Sequence, residues 1–278
     1  MTSYHDICRR LSRLYSQGEA RAIARMLLEV GFHIDYADAV CGGAERLSPR
    51  QRDCMEAMVG RLLQGEPIQY VVGKAPFCRR WFSVDRGCLI PRPETEELCR
   101  WVADDACQGD ILDMGTGSGC IAITIALECP GARVAACDIS DSALRTASRN
   151  ASELGARVAL AKCDILSPQQ LPDNSRWDVI VSNPPYVGES ERAAMETNVV
   201  DYEPAEALFV PDDDPLRFYK AIAAYGAATL TTGGALYLEI NPLHAEATRD
   251  VVAGAGFGST ELRDDQFGKT RFLKGVMI

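Results

Sequence analysis

The chain has 278 residues, 47% hydrophobic and 24% charged, as expected of a soluble globular protein with one large domain or two moderate ones. The net charge of −10 argues against a protein that grips a long stretch of nucleic acid, because such binding rests on phosphate neutralisation. No apolar run approaches the ~18 residues of a membrane span.

Charge is uneven, with a net +2 over residues 1–100 and −12 over the remainder, which reads as ordinary solvated surface. The opening Met1-Thr2-Ser3-Tyr4-His5-Asp6 lacks an apolar signal core, so a cytoplasmic protein is expected. The 11 cysteines include no Cys-x-x-Cys pair. Cys120, Cys129 and Cys137 lie in apolar runs, where a free thiol behaves as a small hydrophobe. Reduced thiols are therefore expected rather than a disulfide framework. With only His5, His33 and His244 as histidines, no metal site is expected.

Residues 1–65 carry helical periodicity. Ile7, Leu11, Leu14 and Tyr15 recur at helical spacing, as do Ile23, Met26, Leu27 and Val30, with Gly31 as the expected C-cap. Ser48-Pro49 starts a further helix, whose face of Met55, Met58, Val59 and Leu62 reads as core. A small helical bundle follows. Over residues 66–90 the pattern changes: 68–72 and 81–84 read as strands around a turn, a β-hairpin linking two domains. Residues 91–278 form the second domain.

From residue 110 strands and helices alternate, which implies a parallel sheet with helices on both faces. Strand 111–113 leads into the glycine loop Gly115-Thr116-Gly117-Ser118-Gly119 and a helix. The second strand ends at Asp138, the third near Lys162, followed by Asp164 and Ile165. The fourth, Asp178 to Ser182, runs into Asn183-Pro184-Pro185-Tyr186. A hairpin near 259–263 and 271–276 closes the chain.

Glycines let backbone approach a nucleotide-type cofactor, and a carboxylate at the second strand's end suits ribose hydroxyls. This spacing alone leaves NAD and S-adenosylmethionine open. The third glycine comes one residue earlier than in a dinucleotide fingerprint, and Asp113 before the loop suits a cationic ligand end. The two prolines of the tetrad stop the strand in a stiff extended corner. Asn-Pro-Pro alone is often only a loop. Here it offers the Asn183 side-chain carbonyl, the Pro184 carbonyl and the Tyr186 ring, a pocket for a planar NH2 group.

Asp-Met-Gly-Thr-Gly-Ser-Gly (113–119), Asp138 and Asn-Pro-Pro-Tyr (183–186) resemble the S-adenosylmethionine-dependent methyltransferases that act on exocyclic or amide nitrogens. Gly-Glu-Pro-Ile-Gln-Tyr (65–70), Leu-Ile-Pro-Arg-Pro-Glu-Thr-Glu (89–96) and Glu203-Pro204 narrow the resemblance to the PrmC (HemK) family, over almost the whole chain. It implies a class I methyltransferase, an α/β Rossmann-like fold with a seven-stranded mixed sheet whose last strand is antiparallel, and a small N-terminal helical domain. The implied activity is methylation of the glutamine amide nitrogen (N5) in the Gly-Gly-Gln loop of peptide chain release factors, by a monomer without stable nucleic acid or membrane partners.

On this reading Asn183, Pro184 and Tyr186 are catalytic. Gly115, Thr116, Gly117, Ser118, Gly119, Asp138, Asp164, Ile165 and also Asn183 hold S-adenosylmethionine. Pro185, Arg92 and Glu94 shape the substrate entrance. Three departures from the family pattern are Glu239-Ile240-Asn241-Pro242-Leu243-His244, Lys269-Thr270-Arg271, and Ile165 where an aromatic residue is common. Rival readings are a ribosomal-protein glutamine methyltransferase, an amino-group methyltransferase acting on nucleic-acid bases, and a degenerate fold that binds cofactor without turnover.

Overall fold

The computed structural model describes residues 3–168 and 176–278. The chain divides into two compact units, one running to Lys74 and taking in Glu196–Tyr202, the other made of Ala75–Met195 and Glu203–Ile278.

The first unit holds helices α1 (Tyr4–Leu11), α2 (Gln17–Phe32), α3 (Tyr36–Val40), α4 (Pro49–Leu62) and α5 (Ile68–Val72). Ser3, Ser16, Asp35 and Ser48 cap the first four through their side chains, and Ser48 with Gln51 completes a capping box. Ile7, Leu11, Leu27, Met55, Val59 and Leu62 are fully buried in its core. Two local expectations are corrected. Helix α2 runs past Gly31, and His33 takes the left-handed position at φ 57°. Residues 68–72 are helical, not a strand. Pro67 presets the entry, Gly73 at φ 72° ends the turn, and burial of Tyr70 and Val71 overrides β propensity.

Strands β1 (Lys74–Phe77) and β2 (Arg80–Ser83) come next, in the second unit from Ala75 onward. Their hairpin turns on Cys78 and Arg79, both at positive φ, as a two-residue turn of matching twist requires. Then follow α6 (Pro93–Asp105), β3 (Gln108–Met114), α7 (Cys120–Glu128), β4 (Gly131–Asp138), α8 (Asp141–Leu154), β5 (Val158–Lys162), β6 (Trp177–Ser182) and β7 (Val187–Gly188). Helix α9 (Thr197–Tyr202) belongs with the first unit. The chain ends with β8 (Phe209–Val210), α10 (Arg217–Thr229), β9 (Leu230–Glu239), α11 (Ala245–Gly254), β10 (Phe257–Asp264) and β11 (Thr270–Met277).

Among the described residues the main sheet has seven strands in the order β10-β11-β9-β6-β3-β4-β5. The five from β9 to β5 are mutually parallel, and β11 runs antiparallel to both neighbours. Alternate side chains serve the two faces. Ile111, Val179 and Tyr237 pack in one core with α6 and α7, whereas Leu112, Ile180 and Leu236 pack in the other with α10 and α11. Sheet order reverses at β3, whose neighbours are β4 and β6, so the carboxyl ends of these three strands open onto one crevice.

One expectation about thiols is corrected. Cys107, just before β3, and Cys129, just after α7, form a disulfide with their Cα atoms 4.8 Å apart. The end of α7 returns beside the start of β3, a juxtaposition that sequence spacing does not show. The other nine cysteines are free.

Candidate active site

The glycine loop joins β3 to α7. Gly115, Gly117 and Gly119 all lie at positive φ, which lets the loop fold over the end of β4. The Gly115 and Thr116 N–H groups donate to the Cys137 carbonyl. Asn150, fully buried on α8, donates to the Ser118 and Ser83 carbonyls and accepts from the Ser83 N–H, tying loop, hairpin and helix together. Polar Thr146 and Asn150 on a buried face shared with Ala143, Ala147 and Ala151 are the sequence signal that would have found it.

Asp138 Oδ2 accepts from the Gly117 N–H and Oδ1 from the Ser140 N–H. Ser140, not Asp138, caps α8. Burial raises the Asp138 carboxyl above its usual value, against the pull of those amides. Asp113 does not face a ligand. It is fully buried beneath the loop, where Oδ2 accepts from the Thr116 hydroxyl and the Ala122 N–H, and among the described residues Oδ1 has no partner. Burial pushes its carboxyl up to about 7.

A cavity of about 260 Å³ lies over the loop. Of the expected cofactor residues, Gly115, Thr116, Gly117, Ser118, Asp138, Asp164, Ile165 and Asn183 line it. Gly119 sits beneath instead, where a Cβ would meet Ile123 Cδ1 at 2.8 Å. A smaller lobe of about 40 Å³ is lined by Pro184, Tyr186, Leu89, Val187 and Leu208. Arg92 and Asn183 border both spaces, Pro185 lines the larger, and Glu94 lines neither. Among the described residues no histidine lines either space.

Among the described residues, Arg92 is the one Lys or Arg lining these cavities. It donates to Glu203 Oε1 at 2.7 Å, while Glu203 Oε2 accepts from the Ile90 N–H. The Glu203 carboxylate is 1% exposed, so Arg92 is anchored on a charge held away from solvent.

Behind the tetrad lies a polar cage that sequence reasoning missed. Glu239, 1% exposed at the end of β9, accepts from the Tyr186 hydroxyl at 3.0 Å and from the Thr95 hydroxyl at 2.7 Å. The Asn183 side-chain NH2 donates to Thr95 Oγ1 at 3.2 Å. Arg271, paired with Asp265, approaches the Tyr186 hydroxyl at 3.4 Å. Asn241, one of the departures from the family pattern, donates to the Tyr186 carbonyl and to Glu191. Burial raises the Glu239 carboxyl, opposed by both hydroxyls and Arg271. Burial, then Glu239, drives the Tyr186 phenol far above its ordinary value, so Tyr186 is a neutral donor and no base.

The arrangement fits S-adenosylmethionine. Among the described residues, no atom lies within 4 Å of the Cβ position at Gly117. Asp138 keeps lone pairs for ribose hydroxyls, and Arg92 suits the cofactor's carboxylate.

Residues 5–73 match the family described as PrmC N-terminal domain, and residues 95–203 match Methyltransferase small domain. Among curated proteins, the chain is 42% identical to the release factor glutamine methyltransferase of Bacteroides thetaiotaomicron, covering 95% of each. It is 37% identical to that of Flavobacterium psychrophilum, covering 95% of this chain and 94% of the relative. Among solved structures, a Pyrococcus furiosus methyltransferase aligns with a TM-score of 0.51 at 18% identity, over 71% of this chain and 89% of that one. The Thermus thermophilus 16S rRNA N2 G1207 methyltransferase, solved with AdoMet and guanosine, aligns with a TM-score of 0.52 at 17% identity, over 74% and 50%. These two likenesses bear on the fold.

Proposed function

The chain belongs to the release factor glutamine methyltransferase family, and from that premise we propose how its residues perform the reaction and on which nitrogen. The enzyme transfers a methyl group from S-adenosylmethionine to the side-chain amide nitrogen of a release-factor glutamine, the one in the Gly-Gly-Gln loop. The cofactor supplies an electrophilic methyl on a sulfonium.

Gly115, Gly117 and Asp138 hold the nucleoside portion, with Asp164 and Ile165 bordering the base. Arg92 takes the carboxylate end, beside the tetrad. The remaining work is alignment. A carboxamide nitrogen is a poor nucleophile because its lone pair is delocalised into the carbonyl. Asn183 Oδ1 and the Pro184 carbonyl accept its two N–H groups, so the lone pair points along the line of transfer. Such positioning is worth roughly 7–11 kcal/mol in favourable cases. Acceptors on a nitrogen that becomes positive add about 2.7–4 kcal/mol each, by analogy with oxyanion donors. Tyr186 walls the amide plane. With no histidine lining the cavities among the described residues, the proton leaves to water after transfer, when the nitrogen has become acidic.

The observation that carries the substrate is the small lobe at the tetrad. There Asn183, Pro184 and Tyr186 stand between the apolar walls of Leu89 and Leu208. The likeness to release factor glutamine methyltransferases over 95% of the chain, with the net charge of −10, favours glutamine over a flipped base. A monomeric enzyme is part of the same reading. Its place in the cytoplasm beside release factors belongs to the same reading.

The test is tritium transfer from labelled S-adenosylmethionine to a purified release factor. Label is expected on the wild-type factor and absent from one carrying Gly-Gly-Ala. Label that persists on the Gly-Gly-Ala factor, or its absence from both, overturns the substrate assignment.

A further inference from the structure

We propose that Thr95 and Glu239 form a one-way hydrogen-bond relay that fixes which end of the Asn183 amide faces the substrate. The proposal rests on the reading of Asn183 as the acceptor for the substrate amide. An asparagine presents a carbonyl or an NH2 group, and the two differ by a half-turn of one bond. Only the carbonyl can accept an N–H from a glutamine. A tetrad whose asparagine flips would oppose donor to donor and bind no amide.

The buried network removes that freedom. Both oxygens of the buried Glu239 carboxyl act as acceptors. Its Oε1 takes the Tyr186 proton and its Oε2 takes the single proton of the Thr95 hydroxyl. With that proton spent, Thr95 Oγ1 can only accept from Asn183, so the Asn183 atom at 3.2 Å is nitrogen. Oδ1 is thereby turned away from Thr95 and kept for the cavity that Asn183 borders. Thr95 is 2% exposed and Glu239 1%, so water does not compete for these bonds. Donation by the Asn183 NH2 group also makes Oδ1 a stronger acceptor, because hydrogen bonds in a chain polarise one another. The same carboxyl holds the Tyr186 hydroxyl, so one buried group sets both ends of the tetrad. Thr95 borders the larger cavity, yet like Glu239 it acts through Asn183, so both are positioning residues.

The experiment compares full-length wild type, Thr95→Val, Thr95→Ser, Glu239→Gln and the Val–Gln double variant. Readouts are kcat on release factor, Kd for S-adenosylmethionine by calorimetry, and thermal midpoint. Thr95→Val keeps the shape and deletes the hydroxyl. It should lower kcat at least tenfold with Kd within threefold of wild type, and Thr95→Ser should restore kcat to within threefold. Glu239→Gln should lower kcat similarly, and the double variant should lose no more than about threefold beyond the worse single, since both interrupt one chain. A Thr95→Val kcat within threefold of wild type overturns the relay. So does a loss in Thr95→Ser equal to that in Thr95→Val, or losses that multiply in the double variant. Absence of turnover by wild type itself would instead count against the release-factor reading.

Discussion

Asp138 accepts the Gly117 N–H at 2.9 Å, so the acid at the end of β4 holds the glycine loop as well as offering itself to a ribose. Binding and loop geometry are therefore linked at one carboxylate. Asp138→Ala should raise Kd for S-adenosylmethionine by roughly 10–100-fold, the worth of charge-assisted hydrogen bonds of about 1.5–3 kcal/mol. Calorimetric titration checks it. An unchanged Kd would remove Asp138 from the cofactor site.

Two glycines of the same loop should fail in different ways. Gly119 lies at φ 83°, and a Cβ there would meet Ile123 Cδ1 at 2.8 Å and Ala147 Cβ at 3.1 Å. Gly119→Ala should destabilise the fold by about 2–4 kcal/mol, from backbone strain plus overpacking. Among the described residues, Gly117, at φ 55°, has nothing within 4 Å of its Cβ position. Gly117→Ala should cost about 1–2 kcal/mol of strain and show its larger effect on cofactor affinity. Denaturant unfolding and calorimetry on both variants separate the two.

Asp113 predicts a pH dependence of stability. Its folded-state carboxyl stands at about 7, against an ordinary 3.8. The folded state therefore binds this proton more tightly than the unfolded chain does. The contribution to stability is fully present below about 3.8 and is lost as pH rises to about 7. Asp113→Asn keeps one acceptor for Thr116 and Ala122 and cannot ionise. The thermal midpoint of this variant minus that of wild type, without cofactor, should grow as pH rises from about 5 to about 8. A constant difference would contradict the burial argument.

The disulfide predicts a redox effect away from the catalytic crevice. Cys107 and Cys129 are 22 residues apart, a loop whose closure is worth about 3 kcal/mol in the chain-entropy account. Denatured protein prepared without reductant should titrate nine thiols, and reductant should lower the thermal midpoint. Eleven thiols would contradict the bridge.

The parts legible in the sequence were contiguous motifs. Gly115 to Gly119, Asp138 and Asn183 to Tyr186 carry their geometry in neighbouring residues, because glycine and proline act on their own backbone. The alternation of strand and helix gave the parallel sheet for the same local reason. What escaped depends on contacts across the chain. Thr95 and Glu239 are 144 positions apart, and neither belongs to a motif that announces the bond between them. Residues 68–72 have β-branched composition, yet tertiary burial made them a helix. Asp113 looked like a ligand-facing acid because it precedes the loop, but β3 is central and its last turn inward is buried.

The central claim is that Asn183, which also lines the cofactor cavity, contributes to transfer more than to holding the cofactor. Its most direct test is the single-turnover rate of methyl transfer to release factor at saturating cofactor and substrate, for wild type and Asn183→Ala, with Kd for S-adenosylmethionine measured in parallel. The account predicts a rate at least about 100-fold lower with Kd changed less than threefold. A rate within threefold of wild type would contradict it.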